Sequence, residues 1–171
     1  DKIDWEILEP WDGLGMRGNS SSPVKYSGFV PDENLLGAEH TIFEDTDKFL
    51  RPMLALTYAA AYLGIASGAF EIGLEEMPRE YRSGHRRLDN VIYQRRIAEM
   101  STQIEAAPTL MLATALYFDQ DRGANDLPYL QAKVNCSEAA VRVTSDLMTC
   151  FTGTAFARRS PIERYFRDAR A

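Results

Sequence analysis

Met53–Phe70 reads MLALTYAAAYLGIASGAF, a stretch dense in alanine that holds no charged residue and no proline. Its composition favours a helix, and its small side chains favour one packed tightly against other helices. Ala61, Gly64, Ala66, Gly68 and Ala69 are the positions expected to admit a neighbouring helix at close range. Thr57 and Ser67 interrupt the apolar run, and no run of about 18 apolar residues is available to cross a bilayer, so no membrane partner is expected. The helical period extends from about Asp47 to Met77, and a bundle core is the natural destination for such a segment.

Working outward, the pattern predicts two more long helices. One covers roughly Asp89 to Phe118, with Pro108 expected to kink it or shift its register. The next starts at NDLPYLQ, with Asp126 as cap and Pro128 in the first turn, and ends near Cys150. FTGTAFAR breaks the period. SPIERYFRDARA restarts it with Ser160 as cap, Pro161 at the first position and Glu163 completing a capping box. The expected fold is therefore mainly α, an antiparallel four-helix bundle.

Residues 1–37 differ in texture. They hold three prolines and five glycines, and DWEIL and VKYSGFV read as short strands between turns. Two such strands do not make a stable sheet unaided. The expectation is a division into 1–37, a β segment that needs strands it does not contain, and 38–171, the helical bundle. The chain has no initiating Met and its last helix carries no stop signal, so both ends are expected to be cuts through a longer protein.

A net charge of −6 and a pI near 5.0 argue against nucleic acid as a partner. Cys136 and Cys150 match no metal spacing and suggest reduced, buried thiols in a cytoplasmic protein, though a secreted protein could also carry two. No GxSxG elbow and no HExxH occurs. GLGMRGNSSS lacks the GK[ST] ending of a phosphate loop and reads as a turn between strands. His40 and His85 sit beside loop residues with no nucleophile paired to them. PREYRSGHRR gathers Arg79, Arg82, Arg86 and Arg87 in an acidic chain, which fits either a solvated linker or a clamp for phosphate groups. CFTGTAF fits a helix-to-helix turn or a loop presenting backbone N–H groups.

Four stretches, in order, resemble the acyl-CoA dehydrogenase superfamily. These are LGMRGNSSSPVKYSGFVPDENLLG at Leu14–Gly37, YLGIASGAFEIG at Tyr62–Gly73, YQRRIAEMSTQIEAA at Tyr93–Ala107 and IERYFRDARA at Ile162–Ala171. The resemblance implies that 1–37 is the incomplete end of a middle, β-barrel-like domain and that 38–171 is most of a C-terminal helical domain. It implies a flavoprotein, FAD as hydride acceptor, and oxidation of the Cα–Cβ bond of an acyl-CoA in fatty acid metabolism. It also implies a homotetramer or dimer and an electron-transfer flavoprotein as redox partner.

Carried over position by position, the resemblance assigns Arg82, Gly84, Asn90, Thr149 and Gly153 to the cofactor, and Arg51 and Lys48, in KFLRP, to the acyl-CoA. Glu80 and Ser83 stand where the family carries an arginine and an aromatic residue, and Thr149 stands where it carries glutamine. No catalytic residue is assigned. The family's glutamate base lies either just beyond the RDA segment or at the position of Leu50, which has no proton-accepting group. The alternatives are a flavin-dependent monooxygenase or oxidase of the same superfamily, or a non-catalytic assembly subunit.

Overall fold

The computed structural model describes residues 3–34, 42–81, 83–121 and 126–171, with the side chains of 42–49 and 121 outside that description. Two strands, β1 (Asp4–Ile7) and β2 (Val24–Ser27), pair antiparallel, with Trp5 opposite Tyr26 and Ile7 opposite Val24. A 3-10 turn follows at Asp32–Asn34. Then come α1 (Ile42–Glu76), a 3-10 turn at Arg87–Asp89, α2 (Val91–Asp121), α3 (Leu127–Phe151), the single turn α4 (Gly153–Phe156) and α5 (Pro161–Asp168).

The bundle is built on seams of alternating three- and four-residue spacing. In α1 the buried positions among the described side chains are Pro52, Ala55, Ala59, Tyr62, Ala66, Ala69 and Gly73, with Met77 buried just past its end. In α3 they include Tyr129, Ala132, Cys136, Val143, Leu147 and Cys150. Such seams let helices pack side by side at shallow angles. Cross-links fix the directions. Near their starts α1 and α3 are joined by Arg51–Asp126, and near their ends Gly73 meets Leu147, so the two run parallel. The start of α2 meets the end of α3 through the Arg96–Asp146 ion pair. The end of α2 meets the start of α3 where Thr114 Oγ1 donates to the Pro128 carbonyl. α2 is thus antiparallel to α3. Tyr165 lies on Gly68, while the Tyr62 hydroxyl donates to the Ala171 carbonyl, so α5 runs against α1. The expected antiparallel four-helix bundle is the fold found.

Several local expectations differ from the structure. α2 passes through Pro108 with its inward seam unbroken, from Met100 through Ala107 to Thr114, so no register shift occurs. Asp126 makes no side-chain cap; its carboxylate pairs with Arg51 and only its carbonyl accepts from the first turn. Ser160 makes no side-chain cap either, and Glu163 accepts from Arg167 Nε at 2.7 Å and so forms no box. Among the small residues of α1, Ala66 and Ala69 are buried, whereas Ala61 and Gly64 are exposed and a Cβ on Gly64 would meet nothing within 4 Å. The close approaches are at Gly68 and Gly73. A Cβ there would lie 2.8 Å from the Tyr165 hydroxyl and 2.5 Å from Leu147 Cδ2 respectively.

Leu50–Glu76 is long and apolar enough, by length and composition, to cross a membrane. Here its seam face is filled by α2, α3 and α5. The opposite face keeps Leu50, Met53, Leu54, Tyr58 and Leu74 exposed.

Candidate functional site

The loop joining α1 to α2 is organised around Gly84. Tyr81 N–H donates to the His85 carbonyl at 2.9 Å and Gly84 N–H donates to the Tyr81 carbonyl at 2.9 Å, closing a tight turn. Gly84 has φ +80°, a conformation side chains rarely adopt. Leu88 N–H then returns to the Met77 carbonyl, which pins the loop to the end of α1.

Asn90 ends the loop and starts α2. Its Oδ1 accepts from Ile92 N–H at 2.9 Å, an N-cap that fixes the side chain and leaves its amide N–H groups free of protein partners among the described residues. Across from it α3 ends at Phe151, Thr152 carries φ +51°, and α4 begins at Gly153. The two loops border an open cleft of about 460 Å³, lined by Tyr81, His85, Asn90, Tyr93 and Thr152 among others. That size lies within the ~300–1,000 Å³ range of small-molecule sites.

The residues assigned from sequence fall into three groups. Gly84 and Asn90 lie on the loop before α2; Thr149 and Gly153 lie on the facing end of α3 and the start of α4. The Thr149 hydroxyl is exposed and donates to the Ser145 carbonyl, keeping its lone pairs available. A Cβ on Gly153 would meet nothing within 4 Å, so its backbone is approachable. Arg51 lies apart on α1, paired with Asp126 at 3.3 Å. Lys48 belongs to α1, but its side chain lies outside the described residues, and Arg82 lies outside them altogether.

The arginine cluster is largely occupied from within. Arg79 pairs with Glu76 at 2.6 Å. Arg86 grips Asp89 through Nη2 at 2.7 Å, and those hydrogen bonds hold the Asp89 carboxyl below the usual carboxylate range. Arg87 turns away to the end of α3: Nε donates to the Cys150 carbonyl at 3.1 Å and Nη2 to Thr154 Oγ1 at 3.0 Å. A clamp of four converging arginines is therefore not what the described residues present. Burial pushes the Cys150 thiol up to about 11, which makes it a core residue and not a nucleophile. Among the described residues no cluster of His, Cys, Asp or Glu fits a metal ion.

A second structural joint links the β segment to α5. Arg167 Nη1 donates to the Leu14 carbonyl at 2.8 Å, and Met16 N–H donates to Asp168 Oδ1 at 2.7 Å. Clefts of about 590 and 430 Å³ flank this joint. Neither Arg167 nor Asp168 was assigned a role from sequence beyond the RDA segment they belong to.

Residues 52–171 match the family described as acyl-CoA dehydrogenase, C-terminal domain. The chain belongs to this family. It is 34% identical over 162 residues to the cyclohexane-1-carbonyl-CoA dehydrogenase of Geobacter metallireducens, covering 92% of the chain and 41% of that protein. Among solved structures, butyryl-CoA dehydrogenase from Megasphaera elsdenii superposes with a TM-score of 0.85 at 26% identity, covering 98% of the chain and 43% of its own. Dibenzothiophene monooxygenase from Paenibacillus sp. A11-2 shares the fold, with a TM-score of 0.81 at 24% identity, covering 97% and 48%. The chain thus spans about two-fifths of the length of the curated relatives it matches. In acyl-CoA dehydrogenase terms, the bundle is the matched part, and the β segment with the first ten residues of α1 precedes the matched region.

Proposed function

We propose that this chain is the C-terminal part of an FAD-dependent acyl-CoA dehydrogenase that oxidises the Cα–Cβ bond of an acyl-CoA. Residues 1–37 would be the end of its middle β-domain and 38–171 its helical domain. The observation that carries the reading is the cleft in which Tyr81 and Asn90, from the loop before α2, face Thr152 at the end of α3; Gly84, Thr149 and Gly153 are close in sequence to these lining residues. The donor set fits a polar end of the cofactor. Asn90 offers free amide N–H groups, Gly153 offers unshielded backbone, and Tyr81 and Tyr93 supply aromatic walls. Bound FAD supplies the hydride acceptor. The chain's own residues orient it: the N-cap bond locks the Asn90 rotamer, and the Gly84 turn holds Tyr81 and His85 at the rim.

The acyl-CoA would lie near Arg51 and Lys48 at the other end of α1, so the cleft residues would reach the phosphate end of an FAD whose reacting ring meets substrate in a second copy of the chain, and the α-proton would pass to a carboxylate outside the assigned residues. Substrate class and a homo-oligomeric assembly exchanging electrons with an electron-transfer flavoprotein belong to the same proposal, as does a cytoplasmic setting. The full-length protein, purified and scanned in the visible range, should show flavin absorbance that bleaches anaerobically on adding an acyl-CoA. Absence of flavin would overturn the reading. Flavin that is reduced only by a reductase, and that then reacts with oxygen, would favour the monooxygenase alternative. Glu80, Ser83 and Thr149, which stand where the family carries an arginine, an aromatic residue and a glutamine, are the departures that favour this second reading.

A further inference from the structure

Arg87 is half-buried between two aromatic rings. Its guanidinium carbon lies 4.2 Å from the centroid of Tyr81 and 4.4 Å from that of Phe151. From there the planar fork reaches three oxygens of the opposite loop: the Cys150 carbonyl at 3.1 Å, the Phe151 carbonyl at 3.5 Å and Thr154 Oγ1 at 3.0 Å. These acceptors lie on both sides of Thr152, whose φ of +51° with ψ of −133° is costly for any residue with a Cβ. A strained residue of this kind persists only when its surroundings hold it. The carbonyls at the end of α3 are also the negative pole of the helix, where a cation is favoured.

We infer that Arg87 is a positioning residue that latches the Thr152–Thr154 loop to the Gly84 turn and sets the opening of the cleft between them. The inference rests on the reading of that cleft as a flavin site. Stacking on two rings while bridging two carbonyls and a hydroxyl needs a flat, multi-donor cation, so lysine is not an equivalent. With the latch gone, the strained turn relaxes, and Thr152 loses its fixed placement in the cleft that it lines with Asn90.

The test uses the full-length protein with Arg87→Met, Arg87→Lys, Thr154→Val and the double variant Arg87→Met/Thr154→Val. Amide hydrogen exchange of Thr152, Ala155 and Phe156 is read in the flavin-free protein, and FAD affinity by fluorescence. The expected result is faster exchange at these three amides in both Arg87 variants. FAD binding should weaken by about tenfold in both, with lysine giving no rescue. Thr154→Val should weaken it less, and the double variant should be no worse than Arg87→Met, as for two residues of one interaction. Unchanged exchange in the Arg87 variants overturns the latch. Faster exchange with unchanged FAD affinity, or additive losses in the double variant, overturns its positioning role. If Arg87→Met does not fold, Arg87→Lys decides, since Thr154→Val also removes the hydrogen bond that Thr154 Oγ1 donates to the Phe151 carbonyl at 2.6 Å; unchanged exchange and affinity in Arg87→Lys would overturn the inference. A wild-type protein that binds no flavin would defeat the functional reading, while the exchange result would still judge the latch.

Discussion

The backbone N–H of Met16 donates to Oδ1 of Asp168 at 2.7 Å, joining positions 152 residues apart. Arg167 Nη1 crosses it in the opposite sense to the Leu14 carbonyl. Between them Gly15 touches the α5 backbone so closely that a Cβ would stand 2.2 Å from the Arg167 carbonyl oxygen. This joint seats the β segment on the helical domain.

Removing the acceptor should therefore cost stability. Asp168→Ala leaves the Met16 N–H without its partner, and a loss of about 1–3 kcal/mol is expected. Asp168→Asn keeps Oδ1 and should recover most of it. Urea unfolding of both variants is the check; equal losses would mean that the charge matters and not the hydrogen bond.

Two glycines should respond in opposite directions. Gly15→Ala drives a methyl into α5 backbone that has no room to yield, and a loss of at least about 2 kcal/mol is expected. Gly64→Ala meets nothing and gains helix propensity, so it should stabilise by up to about 1 kcal/mol. Thermal unfolding separates the two; a destabilised Gly64→Ala would show that its open face is covered in the full protein.

Thr152→Gly relieves a backbone conformation that only glycine adopts freely. The gain is offset by the extra freedom of glycine in the unfolded chain, leaving about 1 kcal/mol of net stabilisation. A decrease in unfolding free energy would mean that the threonine side chain makes a compensating interaction.

Glu163 should contribute to an acid transition. The hydrogen bond from Arg167 holds its carboxyl below its ordinary value of 4.5. A group depressed in the folded state stabilises above its unfolded pKa and loses that contribution as pH falls through the folded one. Stability should thus be held near neutrality and decline below about pH 4.5. Glu163→Gln should flatten that limb while lowering stability at pH 7, measured by unfolding across the acid range.

Long-range order was legible where one helix face repeats and illegible where distant groups meet. The seams of α1 and α3 follow from apolar spacing, and the bundle with them. α2 begins at Val91, two residues after the expected start, because Asn90 takes the capping position. The caps expected at Asp126 and Ser160 did not form: Arg51 took the Asp126 carboxylate, and Arg167 took the Glu163 partner that a box at Ser160 required. Local motifs predict hydrogen-bonding capacity, but a distant cation can claim it. Arg87 read as one of four basic residues in a stretch that fitted a solvated linker or a phosphate clamp, since nothing in PREYRSGHRR shows that the end of α3 lies beside it. For the same reason Gly64 and Gly68 look alike in sequence, though only Gly68 has a ring against it.

The β1–β2 pair has a further consequence. Every residue of β1 is exposed, and β2 is exposed except for a half-buried Val24, so neither face of the ribbon is anchored to a core. A slip by one residue would flip Trp5 and Tyr26 to the other side at little cost, because no buried stripe penalises it. Among the described residues both strands also keep an outer edge open, and open edges recruit other strands. The chain should thus be prone to edge-to-edge self-association through Asp4–Ile7 and Val24–Ser27.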